Sequence, residues 1–453
     1  MKSSILFITI LLLGTVSRAD AQEILSLEHA IEAALEYNYN IQISNIEQDK
    51  ASNLVTRGNA GQLPSISVNS DLNWSYSDLE LTPGSFFQKL LNPEGGEGQS
   101  PGAIKFDGVS STSFSAGLGT QFVIYDGMKG RLRYRTLETG SDLASLQHKQ
   151  EMENTVLVIT RNYVQAVTLQ KAIELKELAM EQSRDRYRVV ETRREYGQAS
   201  EQQLLQALAD LNADSTDYRD LVLQYENVYR DLHTAIGWER REMVPLDDGI
   251  VSTDLPHYDD LLYSMHENNT ALNVRERRIE QAQIQQKITK ADILPTITAG
   301  AQYGYNYQSA TDGQFKTQEQ LGFMGGISLK IPIFTGGRNR TASQNAKATI
   351  RQEQIRYDES EQQLLTQFEN TWNRLLHMEN RLTTERNNLT VYKRNYERAK
   401  DSFGQGLITG VELRSTQLSL QDARLRISET EFQIKLTETT LLYLSGGLLI
   451  SSQ

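Results

Sequence analysis

The sequence predicts an α+β chain built twice over, each copy carrying two strands of a membrane β-barrel and a long coiled-coil hairpin of helices. Three observations predict it. The same landmarks return at constant offsets, two stretches per copy alternate apolar and polar residues, and the rest repeats its apolar residues every seventh position. The 453 residues are 38% hydrophobic and 23% charged, too polar for a bundle of membrane helices. A net charge of −12 argues against nucleic acid as the main partner. The absence of cysteine excludes disulfides, thiolate metal sites, a cysteine nucleophile and a lipid-modified N-terminal cysteine.

The first element is an export signal. Lys2 supplies a positive start, Ile5 to Leu13 an apolar stretch, and Ala19-Asp20-Ala21 a small-residue cleavage site. The apolar run is shorter than the ~20 residues a membrane helix needs. Cleavage after Ala21 removes two positive charges and one negative, so −12 becomes −13.

The repeat comes next. Leu63-Pro64-Ser65-Ile66 returns as Leu294-Pro295-Thr296-Ile297, 231 residues on, and Tyr125-Asp126-Gly127 returns as Phe334-Thr335-Gly336, 209 residues on. The second offset then holds through Arg131 and Arg340, Gly197 and Gly406, Ser200 and Thr409, and Gly237 and Gly446. The 22-residue difference falls in the Gly-, Pro- and Ser-rich stretch Glu80 to Gly108, which reads as a loop. The expected organisation is a signal peptide over 1–21, a first repeat over 22–245 and a second over 246–453.

Each repeat holds two alternating strands. Ile66, Val68, Leu72, Trp74 and Tyr76 fall on one parity, as do Phe114, Ala116, Leu118, Phe122 and Ile124. The second repeat has Ile297, Ala299, Ala301, Tyr303, Tyr305 and Tyr307, then Leu321, Phe323, Ile327, Leu329, Ile331 and Ile333. Ser, Asn, Thr, Gly and Gln dominate the opposite parity. A soluble sandwich gives the same alternation. The export signal, the strand lengths and the aromatics gathered towards one end favour a barrel wall with an interfacial girdle. Four strands cannot close a membrane barrel, whose smallest single-chain form has about eight, and open edges cannot stay unpaired in lipid. If the strands form a barrel, several chains must share it.

The helices follow. Ile159, Ala166, Ile173, Met180 and Tyr187 recur at sevens, and so do Phe368, Leu375, Leu382, Leu389 and Tyr396. Beyond the Gly197 and Gly406 breaks run Leu204, Leu211, Tyr218, Tyr225 and Leu232, and Leu413, Leu420, Ile427, Ile434 and Leu441. Strict sevens indicate coiled-coil packing. A second seam turns polar towards the breaks: Val156 and Tyr163 give way to Gln170, Glu177 and Arg184, and Leu365 and Trp372 to Glu379, Arg386 and Lys393. That side faces either outer solvent or a wet lumen. Gly127 to Gly197 spans 70 residues, roughly 105 Å as helix, which suits a protein bridging an aqueous gap. Leu27–Ala60 and Tyr258–Ala291 are also helical in pattern, and can stack end to end with the return arms. At the tips, Gly197 and Gly406 permit a tight reversal, and Ser200, Leu407 and Thr409 lie where the next helix starts.

No HExxH, P-loop, GxGxxG after a strand or GxSxG elbow occurs, so the sequence predicts neither enzyme nor cofactor nor metal. Asn268-Asn269-Thr270 matches a glycosylation acceptor, which carries no weight in an exported bacterial-type chain.

Taken in order, helix, Leu-Pro-x-Ile, two strands, Phe/Tyr-x-Gly, long helix, Gly turn and return helix, all repeated, the chain resembles the TolC-like outer membrane efflux protein family over its whole mature length. Leu27-Glu28-His29-Ala30-Ile31 with Asn38-Tyr39-Asn40-Ile41 looks like the family's opening. Phe334-Thr335-Gly336-Gly337-Arg338 looks like its strand exit, and Tyr196 to Ser200 and Phe403 to Leu413 like its hairpin tips. The resemblance implies a homotrimer whose four strands per chain make a 12-stranded outer-membrane barrel, continued by a periplasmic tunnel of twelve helices. It implies a passive exit duct for small molecules or proteins in a tripartite efflux pump or type I secretion system. The implied partners are a periplasmic adaptor (membrane fusion protein), an inner-membrane transporter and outer-membrane lipid. It also implies that the adaptor docks at the tips, through Gly197, Ser200, Gly406, Leu407 and Thr409. In the family, inward-coiling helix pairs close the tunnel at its periplasmic end and acidic side chains near the second tip form rings there; the resemblance implies that Glu412 holds one such position. The family's second acidic position is Ser415 here, and the first repeat has Gln203, so the implied cation preference is weaker. The competing reading is a non-channel coiled-coil structural or adhesive surface protein, which would need no detergent.

Overall fold

A computed structural model describes residues 24–82, 104–239, 243–249, 254–311 and 316–449. The expected signal peptide and residues 83–103 of the expected Glu80–Gly108 loop lie outside the described residues; Glu80, Leu81 and Ile104 to Gly108 belong to strands, so the sheet reaches further into that stretch than its Gly, Pro and Ser content predicts. The elements run α1 (Leu27–Tyr37), α2 (Tyr39–Asn53), β1 (Ser65–Leu81), β2 (Ile104–Tyr125), α3 (Lys129–Glu195), α4 (Glu201–Ile236), α5 (Tyr258–Asn268), α6 (Thr270–Ala291), β3 (Thr296–Ala310), β4 (Thr317–Lys330), α7 (Arg338–Gly404) and α8 (Gly410–Leu444). Helices α3 and α7 each have 67 residues, and the returns α4 and α8 have 36 and 35. No described helix is long and apolar enough to cross a membrane. The chain forms two compact units. One comprises the described residues of Met1–Ile46, Ser145–Val274 and Asp358–Gln453, and the other Glu47–Ala144 and Arg275–Tyr357.

The second unit holds one antiparallel sheet in the order β1-β2-β3-β4. Its register gathers the apolar parity onto one face. Val68, Leu118, Tyr303 and Phe323 make one cross-strand row, and Leu72, Phe114 and Tyr307 the next but one, which ends at Glu319. This face is open: Leu72, Phe323 and Ile327 are 71%, 73% and 74% exposed. Trp74, Tyr76, Phe114, Tyr305 and Tyr307 occupy neighbouring rows, which is the aromatic end of the face. The other face is nearly neutral. Along 65–77, 109–123, 296–310 and 317–330 its charges are Asp71 on β1 and Lys330 on β4.

Two strand ends at the other side of the sheet also differ. The ladder slips between Val123 and Tyr125, so Tyr125, not Ile124, pairs with Ile297; a bulge at Ile124 breaks the parity. Strand β4 stops at Lys330, short of Ile331 and Ile333, because Pro332 has no N–H to give a ladder. Ile333 and Phe334 are 95% and 87% exposed.

The helical unit packs along the expected seams. Ile159, Ala166, Phe368, Leu375, Leu232 and Leu441 are buried, whereas Glu177, Arg184, Glu379, Arg386 and Lys393 are exposed. The polar turn of the second seam is thus physical. Tyr163, in the core with Ile159, Leu232 and Ile236, brings its hydroxyl within 2.8 and 2.9 Å of the Leu25 and Asp247 carbonyls. Burial, reinforced by Asp247, raises its pKa, which keeps it a donor.

The stretches Leu27–Ala60 and Tyr258–Ala291 are broken helices, and asparagine makes each break. Asn38 Oδ1 accepts from the backbone N–H groups of Asn40 (2.8 Å) and Ile41 (3.1 Å), capping α2, while its Nδ2 donates to the Ala235 carbonyl in the last turn of α4 (2.7 Å). Asn269 does the same for α6 and α8, through Ala271 (3.0 Å), Leu272 (3.1 Å) and the Leu444 carbonyl (2.9 Å). One side chain thus satisfies orphan groups at two helix ends, and α2 begins where α4 stops. Gly237 (φ +88°) and Gly446 (φ +72°) let the backbones meet; a Cβ on either would lie 2.3 Å from the carbonyl oxygen of Tyr37 or Asn268. Asn269, at 4% exposure, sits inside the glycosylation-like triplet as a structural cap.

Candidate functional site

The two hairpin tips have one design. After α3, Gly197 takes φ +72° and Gln198 N–H donates back to the Arg193 carbonyl at 2.7 Å. After α7, Gly406 takes φ +77° and Leu407 N–H donates to the Ser402 carbonyl at 2.9 Å. These are left-handed helix stops that bond the last free carbonyls. Each return helix then opens with a capping box. Ser200 Oγ accepts from Gln203 N–H (3.3 Å) and Gln203 Oε1 from Ser200 N–H (2.8 Å). Thr409 Oγ1 accepts from Glu412 N–H (3.3 Å), and Glu412 Oε2 accepts from the N–H (2.7 Å) and hydroxyl (3.0 Å) of Thr409.

Glu412 is therefore a cap as well as an exposed charge. The backbone N–H of Thr409, then its hydroxyl, hold the carboxyl below its ordinary pKa, so it stays ionised at neutral pH. Leu407 is 72% and Tyr196 77% exposed, unusual for large apolar side chains.

The tips face a common groove of about 950 Å³. Leu407, Thr409 and Glu412 line it from the second tip, and Gln198 and Gln203 from the first. Gly197 and Ser200 shape the first tip without lining the groove. Arg193 joins the two tips: its Nη2 donates to the Phe403 carbonyl at 2.9 Å, and its guanidinium lies 4.9 Å from the centre of the Phe403 ring.

Behind the groove the seam carries charges that the heptad reading missed. Asp214, fully buried on α4, accepts from Arg414 Nη2 (2.6 Å) and Nη1 (2.7 Å), from Ser183 Oγ (2.5 Å) and from Lys176 Nζ (3.3 Å). Burial by itself would raise the Asp214 carboxyl. Hydrogen bonds from Arg414 and Ser183 and the charges of Arg414 and Lys176 outweigh it and hold the group low. Arg186, 5% exposed, donates to Gln417 (2.7 Å) and Ser183 (3.0 Å); burial, then Arg414, lowers its pKa. The network ties α3, α4 and α8 at one level. Its signal in the sequence was the companion series Ala207, Asp214, Leu221 and Val228, seven apart with one charge among apolar residues.

An edge-open apolar sheet and two capped helical hairpins on one chain define the class of TolC-like channels, mostly helical with four strands per chain. The solved structure of CusC, described with transmembrane channel formation, is similar over 93% of this chain and 92% of its own, with a TM-score of 0.73 at 15% identity. Among curated proteins, the pyoverdine export outer membrane protein OpmQ of Pseudomonas aeruginosa is 23% identical over 364 residues, covering 79% of this chain and 74% of that protein. The alkaline protease secretion protein AprF of the same organism is 21% identical over 443 residues, covering 94% and 85%. The family model described as outer membrane efflux protein matches residues 30–238 and 261–447, and the chain belongs to that family. By family it is an outer membrane efflux protein.

Proposed function

We propose that three copies of the chain pool their sheets into one 12-stranded barrel and line a periplasmic tunnel with their hairpins, forming a passive duct whose energy comes from an inner-membrane transporter. The observation that carries this is the sheet. It leaves β1 and β4 each with a single strand neighbour among the described residues and exposes an apolar face to solvent. From Ile66 to Tyr76 that face is ten residue steps tall; at ~3.4 Å per step and ~45° tilt it covers about 24 Å, the height of an outer-membrane apolar band. The near-neutral opposite face suits a wet lumen. The internal duplication, 22–245 and 246–453, supplies two near-equal wall segments per chain.

The tips are the proposed docking surface for a periplasmic adaptor, through Gly197, Ser200, Gly406, Leu407 and Thr409, with Leu407 the apolar contact. Three Glu412 carboxylates around the axis are the proposed cation-favouring ring. One relative is named for pyoverdine and another for a protease, so this fold passes unlike cargo, and cargo choice falls to the inner-membrane partner. Planar-bilayer recording tests the reading. Purified protein in detergent should insert and conduct in discrete steps; protein that never conducts, at any concentration or voltage, refutes the duct.

A further inference from the structure

The sheet's own register shows how one copy meets the next. Adding 231 to a β1 residue gives its β3 counterpart, and adding 209 to a β2 residue gives its β4 counterpart. Applied to the observed pair Ser65 and Gln121, this yields Thr296 and Lys330, which pair in β3–β4; Val68 and Leu118 likewise yield Ala299 and Ile327, which also pair. The operation thus reproduces one observed ladder from another. Applied to β2–β3, it turns β2 into β4 and β3 back into β1, a ladder that no single chain contains.

We infer that β4 of one copy pairs antiparallel with β1 of a second copy in the register Phe323 to the partner's Tyr76, Ile327 to the partner's Leu72, and Lys330 to the partner's Asn69, with Lys330 and the partner's Asp71 as the charge pair of the seam. The parent pairs are Phe114 with Tyr307, Leu118 with Tyr303, and Gln121 with Gly300. The inference rests on the reading that copies pool their sheets, and adds the register.

Two features outside the ladder support it. Asp71 and Lys330 are the polar face's two charges along the strand ranges given above, one on each open edge and opposite in sign. The register sets Ser328 opposite the partner's Asp71, so Lys330 is its diagonal neighbour, within reach of a long side chain. The second feature is a contact left empty. Gly127 (φ +73°) sits against Leu294, whose Cβ would be 2.9 Å from a Cβ placed on that glycine. Its counterpart Gly336 (φ +62°) would meet nothing within 4 Å, and the counterpart of Leu294 is Leu63, 57% exposed. The register brings the partner's Leu63 towards Gly336 and fills both vacancies.

The chain has no cysteine, so introduced thiols report cleanly. The register places Met324 opposite the partner's Ser75, as Ser115 stands opposite Asn306. Cα atoms of directly opposed residues lie ~4.5–5.5 Å apart, inside the disulfide range, whereas a two-residue offset puts them at about 8 Å, outside it. The full-length double variant Ser75→Cys/Met324→Cys, oxidised in membranes, should run as covalent dimers and trimers on a non-reducing gel. Asn73→Cys/Met324→Cys and Ser77→Cys/Met324→Cys should not. Stronger cross-linking at an offset pair overturns the register and leaves the shared barrel standing. No cross-link at any pair overturns the register if the protein has trimeric mass in detergent, and overturns the shared barrel if it is monomeric. As a second readout, Asp71→Lys should lower the temperature at which the trimer dissociates in SDS, and adding Lys330→Asp should restore it. A double variant no better than the single overturns the seam charge pair.

Discussion

Asp214→Asn should loosen the end of the helical unit that carries the tips. The substitution keeps the shape of the side chain and removes its charge and half its accepting capacity. Asp214 has no exposed surface, and Arg414, its bidentate partner, has a side chain only 13% exposed. Breaking a buried pair by removing one partner costs ~3–5 kcal/mol. The low end, about 3 kcal/mol, applies here, because Lys176 keeps Asp217 at 2.8 Å and Arg186 keeps Asp210 at 3.3 Å. Hydrogen exchange on the detergent-solubilised protein reads the effect: protection should fall for amides of 204–217 and 413–420 and persist around Ile159 and Leu232. Replacing both partners, Asp214→Leu with Arg414→Met, should recover most of it, since an apolar pair leaves neither charge stranded. The folded pKa of Asp214 lies below its unfolded value, so the stabilisation is present above the ordinary carboxylate range near 3.9 and is lost as pH falls through the lower folded value. Native protein and Asp214→Asn should therefore converge in strong acid. Unchanged protection in Asp214→Asn at neutral pH would refute the reasoning.

Three further outcomes follow from the tips and joints. Gly446→Ala should destabilise the fold far more than Gly406→Ala: both need a left-handed residue, ~1–2 kcal/mol, but only at Gly446 would the new Cβ strike a backbone carbonyl, so thermal melts should separate them. Glu412→Gln should lower cation selectivity without loosening α8, because Gln203 already performs the same capping in the first tip; an unchanged reversal potential removes the selectivity role. Leu407→Glu should abolish export in cells while the trimer and its conductance survive; normal export would remove the docking role.

What could be read from the sequence was whatever depends on local period. The strand parity and the heptads name the faces before any contact is known, since side-chain direction follows from the period itself. The chain's two asparagine joints, at 38 and 269, share the 231 offset of the strands, but their reach to Ala235 and Leu444 needs the return arms in place. The Asp214 network was hidden for the same reason, because it joins residues 200 and 231 positions apart. The capping boxes were the opposite case: Ser200 with Gln203 and Thr409 with Glu412 are local signatures, and they give Glu412 a task besides its charge. The strand ends at Ile124 and Lys330 escaped the parity rule because a bulge and a proline, not hydrophobicity, set them.

The central claim is that one chain's sheet cannot seal itself in lipid, and the mass of the purified protein in detergent tests it most directly. Light scattering corrected for bound detergent should give three chains per particle, with aggregation once detergent is withdrawn. A monodisperse single chain that stays in solution without detergent would contradict it.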